Sequence, residues 1–106
     1  MQISLTPNAV EHIQSKGGRA AVDLISFSSW SGNTTEVSVD TRLAHRDTTS
    51  YQVIEQDGVE LFLLPQLVQH TTSMAIDSKK FFCFRNLKAE LELENGIVFG
   101  RRAPWA

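Results

Sequence analysis

Only one stretch of this chain repeats its apolar residues at helical spacing, and strong signals bracket it on both sides. Thr6 can accept a hydrogen bond from an orphan backbone N–H, and Pro7 suits the first helical position, where no N–H is needed. Ala9, Val10, Ile13 and Lys16 then follow at helical intervals. Gly17-Gly18 stops the run with residues that tolerate positive φ. The spacing predicts one helix over residues 7–16.

Everything after Gly18 reads mostly as strand. Ala20–Phe27 is rich in β-formers, and Val37 and Val39 alternate with Glu36, Ser38 and Asp40. Tyr51–Glu55 and Val59–Leu64 flank Gln56-Asp57-Gly58, an Asp-Gly hairpin signal, and Pro65 ends the second of these strands. Gln66–Thr72 is ambiguous, with one helical turn as a reading. Met74–Asp77 and Phe81–Arg85 read as short strands, with Ser78-Lys79-Lys80 as the link between them. Ala89, Leu91 and Leu93 alternate with Glu90, Glu92 and Glu94, and Asn95-Gly96 turns the chain into Ile97-Val98-Phe99. The expected architecture is α+β: one N-terminal helix packed on a twisted, largely antiparallel, barrel-like sheet. At 106 residues the whole chain, 1–106, makes one domain.

Composition limits the partners. Ten Lys and Arg against twelve Asp and Glu give a net charge of −2, which argues against nucleic acid. The apolar runs fall short of the roughly 18 residues a membrane helix requires, so no membrane is expected. Met1-Gln2-Ile3-Ser4-Leu5 has neither the basic nor the apolar segment of a secretion signal, and the expectation is a cytoplasmic protein.

The chemistry-bearing side chains are sparse. The single cysteine, Cys83, sits in Phe81-Phe82-Cys83-Phe84, where desolvation disfavours a thiolate. There is no Gly-x-Ser-x-Gly elbow, and the three histidines stand far apart. His12 is expected at the solvent side or flank of the helix, and His45 in a charged loop. No catalytic residue, cofactor or metal site is therefore expected. Glu90, Glu92 and Glu94 share one strand face, most simply a solvated one; a two-residue turn at Asn95-Gly96 would set Glu90 opposite Arg101. Lys16-Gly17-Gly18-Arg19 follows a helix rather than preceding one, and a helix C-terminus is the wrong end for an anion. Two aromatics stand out: Trp30 in a Ser/Gly/Asn loop, and Trp105 close to the C-terminus. Tryptophan is favoured at interface anchors, so each is weighed equally as a partner contact and as internal packing.

With these residues set out, the chain resembles the HesB-like family of A-type iron–sulfur carriers over about residues 2–99. The resemblance rests on Ile3-Ser4-Leu5-Thr6-Pro7-Asn8-Ala9, Lys16-Gly17-Gly18, Val22-Asp23-Leu24 and the loop Ser29-Trp30-Ser31-Gly32. It continues through Tyr51–Val59 with Leu61-Phe62-Leu63, Met74-Ala75-Ile76-Asp77 and Phe82-Cys83-Phe84-Arg85-Asn86. The family's carriers hold a cluster with one cysteine in the Ser/Gly loop and two in a C-terminal Cys-Gly-Cys segment. Here Trp30 stands in the loop position, and the tail positions fall near Leu93 and Asn95. Iron–sulfur clusters need thiolates, so the resemblance implies the fold without the cluster. It also implies self-association. The expected function is a non-enzymatic binding or adaptor domain, a homo-oligomer that binds a protein partner or small molecule near Trp30, Ser31, Gly32, Arg101 and Trp105. The alternative is a genuine iron–sulfur or metal carrier that uses Cys83 with a histidine or with a second subunit's ligands.

Overall fold

A computed structural model of the chain describes residues 1–30, 32–44, 47–81 and 84–99. Its opening element, β1 (Gln2–Leu5), leads directly into helix α1 (Pro7–Ser15). Thr6 does more than the sequence required of it. Its Oγ1 accepts from the Ala9 N–H at 3.2 Å and donates to Asp77 Oδ1 at 2.7 Å, so one hydroxyl caps the helix and ties it to a distant strand. At the other end Gly18 N–H donates to the Ile13 carbonyl at 2.9 Å and Gly17 N–H to Gln14 at 3.3 Å. That pair of bonds is the Schellman closure, and the positive φ values of +116° and +82° at Gly17 and Gly18 are what glycine permits there.

The strands that follow are β2 (Arg19–Ser29), β3 (Gly32–Asp40), β4 (Gln52–Gln56) and β5 (Val59–Leu63). A short helix, α2 (Pro65–His70), separates them from β6 (Thr71–Phe81), β7 (Phe84–Leu93) and β8 (Val98–Phe99). They form two four-stranded sheets, ordered β1-β6-β7-β8 and β3-β2-β5-β4. Both are mixed: β1 runs parallel to β6 and β2 parallel to β5, while the hairpin neighbours are antiparallel.

The α+β class is thus observed, but three expectations need correction. Among the described residues neither sheet closes, so the barrel-like sheet is not what forms. At the β1 and β4 edges a side chain takes the place of a ladder, the Gln56 Nε2 donating to the Ile3 carbonyl. Second, the ambiguous stretch is the six-residue helix α2, which Pro65 begins after ending the strand as expected; Leu67 and Val68 N–H groups donate to the Leu64 carbonyl at 2.9 and 3.1 Å. Third, Ser78-Lys79-Lys80 is no link. It is the middle of a long hairpin in which Ser78 pairs with Leu87 and Lys79 with Asn86.

One core fills the space between the sheets and α1. Ala9 and Ile13 come from the helix, Ala20, Val22, Val59, Leu61 and Leu63 from one sheet, and Met74, Ile76, Ala89 and Leu91 from the other. The alternation Val59-Leu61-Leu63 is the pleat expressed in sequence. Burying each of the larger side chains contributes about 1.5–3 kcal/mol.

Candidate functional site

The β2–β3 hairpin is longer than the core it rests on. Its register runs from Ala21↔Asp40 to Ser29↔Gly32. Burial fades along it: Val22 is wholly buried, whereas Ile25 is 46% exposed. At the tip stands Trp30, 102% exposed, in contact with nothing that shields it. Gly32 follows with φ +128°, a conformation that side-chain-bearing residues rarely adopt. The described residues make no internal packing around the Trp30 side chain. Ser31, Arg101 and Trp105, the other residues expected at this surface, lie outside the described residues.

A second feature escaped the sequence reading. Between α2, the turn after β7 and the middle of β2 lies a groove of about 730 Å³, with Leu24, Leu64, Pro65, Leu67 and Leu93 as its apolar walls. His70 and Glu94 sit at its rim. Glu94 N–H donates to the His70 carbonyl at 2.9 Å, and His70 Nδ1 meets Glu94 Oε1, also at 2.9 Å. A carboxylate oxygen accepts, so the His70 Nδ1–H is the donor of this bond. Both side chains are more than half exposed, which makes the pair an orienting contact rather than a large source of stability. No short-range motif links positions 70 and 94. The signal that could have found the pair is the β6–β7 pairing, which sets Thr71 against Leu93. Leu24 lines this groove and Trp30 lies six residues further on, just past the end of β2 and about 20 Å away at the rise of a strand, so the two surfaces are distinct.

The remaining candidates fall as follows. His12 is not at the solvent side of the helix: it is 7% exposed, and its Nδ1 shares a 2.8 Å hydrogen bond with Ser78 Oγ of β6. The reason is periodic. Position 12 lies three residues after Ala9 and beside Ile13, on the stripe that faces the sheet. Cys83 and His45 lie outside the described residues. Among the described residues no three His, Cys, Asp or Glu side chains converge as a metal site. Glu90, Glu92 and Glu94 are exposed and alternate with Ala89, Leu91 and Leu93, as a solvated strand face requires. The turn at Asn95-Gly96 differs from expectation. Leu93 N–H donates to the Ile97 carbonyl, Leu91 faces Phe99, and the loop holds three residues, with Gly96 at φ +88°. That is the three-residue hairpin closed by a left-handed glycine. It removes the premise for setting Glu90 opposite Arg101.

Comparison with known proteins gives both a family and a fold. The model of the CC/Se motif containing family matches residues 1–92. Among solved structures the chain is similar to SufA of Escherichia coli, described as involved in biosynthesis of iron-sulfur clusters. The TM-score is 0.56 with 16% identity, covering 83% of this chain and 78% of that one. It is also similar to IscA with a [2Fe-2S] cluster, at TM-score 0.55 and 9% identity, covering 96% of this chain and 100% of that one. At such identities the likeness shows the fold alone, which is the one the resemblance in sequence implied. No curated protein matches the chain.

Proposed function

The chain belongs to the CC/Se motif containing family, and from that premise we propose that it is a non-enzymatic binding or adaptor domain, related to iron–sulfur cluster biogenesis proteins but without a cluster of its own. It acts by contact with a protein partner or small molecule and with further copies of itself, in the cytoplasm. The residues proposed to make the contact are Trp30, Ser31, Gly32, Arg101 and Trp105. One observation carries this reading: a tryptophan 102% exposed at the end of strand β2. An indole held wholly in water exposes a large apolar area, and burying it against a partner recovers that free energy.

Ligand arithmetic supports the absence of a cluster. The family's description names a CC/Se motif, whereas this sequence has one cysteine and therefore no adjacent pair. A cluster on a single chain would lack thiolates at three of the usual four positions. The test is anaerobic reconstitution with ferrous iron and sulfide, followed by visible absorption and by size-exclusion chromatography with light scattering. The expected result is a colourless oligomer. A stoichiometric cluster that Cys83→Ser abolishes would overturn the reading in favour of a carrier that uses Cys83 with a histidine or with intersubunit ligands.

A further inference from the structure

The basic segment Lys16–Arg19 looks unpromising for an anion from sequence alone, because it follows a helix rather than preceding one. Folding alters that judgement in two ways. The C-terminal carbonyls of Ile13 and Gln14 are not left facing outward, since the Gly18 and Gly17 N–H groups satisfy them. Residues after β3 also return to this side of the molecule: Tyr51 Oη donates to Asp23 Oδ1 of β2 at 2.7 Å, and Thr41–Ala44 and Thr48 line a cavity with Lys16 and Arg19. Arg42 thereby comes into the neighbourhood of Lys16 and Arg19.

The result is a cavity of about 680 Å³ with Lys16, Arg19 and Arg42 on its walls, the hydroxyl residues Thr41 and Thr48 beside them, and Phe62 as an apolar part of the lining. Three of the chain's ten basic residues thus converge on one hollow of a protein whose net charge is −2. Two of them have carboxylate neighbours, but at loose separations. Arg19 Nε stands 3.6 Å from Glu60 Oε1, and Arg42 Nε stands 4.0 Å from Asp40 Oδ1. Arg42's side chain is 96% exposed and Arg19's 60%, so neither guanidinium is locked in place. Each guanidinium has five N–H donors in a fork suited to phosphate, and one long contact to a carboxylate engages few of them.

We infer that this cavity is a binding site for a small phosphorylated molecule with at least two negative charges. Arg19 and Arg42 would grip phosphoryl oxygens in bidentate fashion, Lys16 would add a point charge, and the threonine hydroxyls would donate to the remaining oxygens. Phe62, 8% exposed, gives the non-phosphate part of the ligand an apolar wall. A dianion competes favourably with single carboxylates held at 3.6–4.0 Å, since exposed ion pairs of that kind contribute about 0–1 kcal/mol. The site is separate from the hairpin tip, so its fate does not depend on the adaptor reading.

Inorganic pyrophosphate and adenosine monophosphate are suitable probes, titrated into the full chain while the amide signals of Gly17, Gly18 and Thr48 are followed by NMR. The expected result is saturable movement of those signals, with affinity that falls as sodium chloride rises. Arg19→Gln and Arg42→Gln should each weaken binding about tenfold, while Lys88→Gln, on the other sheet, should leave it unchanged. Arg42 is so exposed that its replacement leaves the fold intact, which unchanged circular dichroism would verify. Failure of either probe to saturate, or undiminished binding by Arg42→Gln, overturns the assignment.

Discussion

Replacing Trp30 with alanine separates two energies that normally change together. In the isolated chain the side chain is 102% exposed, so truncation removes no internal contact. The change in folding stability should therefore stay within about 0.5 kcal/mol, as for ordinary surface substitutions. At an interface the same side chain would bury roughly 150–250 Å². At about 25 cal/mol per Å² this is a gross gain of about 4–6 kcal/mol, from which about 0.5–1.5 kcal/mol is lost in ordering the side chain. Even if half of the remainder goes to other costs of association, about 2 kcal/mol survives, the scale of an interface hot spot. That corresponds to roughly a 30-fold weaker dissociation constant. The assay pairs a dilution series in light scattering or sedimentation with urea unfolding followed by circular dichroism, a probe that does not rely on the missing indole. The reasoning fails if Trp30→Ala lowers stability by more than about 1 kcal/mol while association stays unchanged. It fails equally if the wild-type chain shows no association that the substitution can weaken.

Other consequences are quicker to state. Leu61 is wholly buried in the central core, so Leu61→Ala should cost about 2–5 kcal/mol in denaturant unfolding; a loss below 1 kcal/mol would mean that the two sheets do not share that core. Gly96 has φ +88° and open space where a Cβ would go, so Gly96→Ala should cost about 1–2 kcal/mol from backbone conformation alone. Full stability in that variant would argue against the three-residue turn. The Asp47 carboxyl accepts hydrogen bonds from the Thr49 side chain and backbone N–H, which hold its pKa below the ordinary value of 3.8. Its depressed value means that the ionised form is favoured by folding, a contribution present at higher pH and lost as pH falls through the lowered pKa. An NMR titration should find that midpoint below 3.8, and Thr49→Val should raise it by removing the larger of the two bonds.

Local chemistry was legible wherever a residue does one job. Thr6, Pro7 and the two glycines mark the ends of α1 because capping needs those residue types at those places. Asp57-Gly58 likewise gives its hairpin, with φ of +53° and +81° at the two positions. Residues whose roles are set by distant partners were read wrongly. Ser78 looks like loop in its polar stretch, yet it is buried because it meets the His12 imidazole. His12 itself looks like surface because histidine is usually polar and exposed, although it occupies the core-facing stripe. The six-residue α2 is too short for periodicity to reveal, and the groove it builds depends on strand pairing between residues far apart. The exposure of Trp30 is half legible: its polar neighbours place it outside the core, but the overhang of the β2–β3 hairpin depends on strand pairing that no local pattern shows.

The parallel pairing of β1 with β6 joins Gln2–Leu5 to Ser73–Ile76, and Thr6 reaches Asp77 across 71 positions. On the ribosome β1 is therefore an orphan until its partner segment Ser73–Ile76 has left the exit tunnel, its backbone groups solvated until then. Docking of β1 must therefore wait for Ser73–Ile76, so a strand synthesised early is among the later pieces to lock in place.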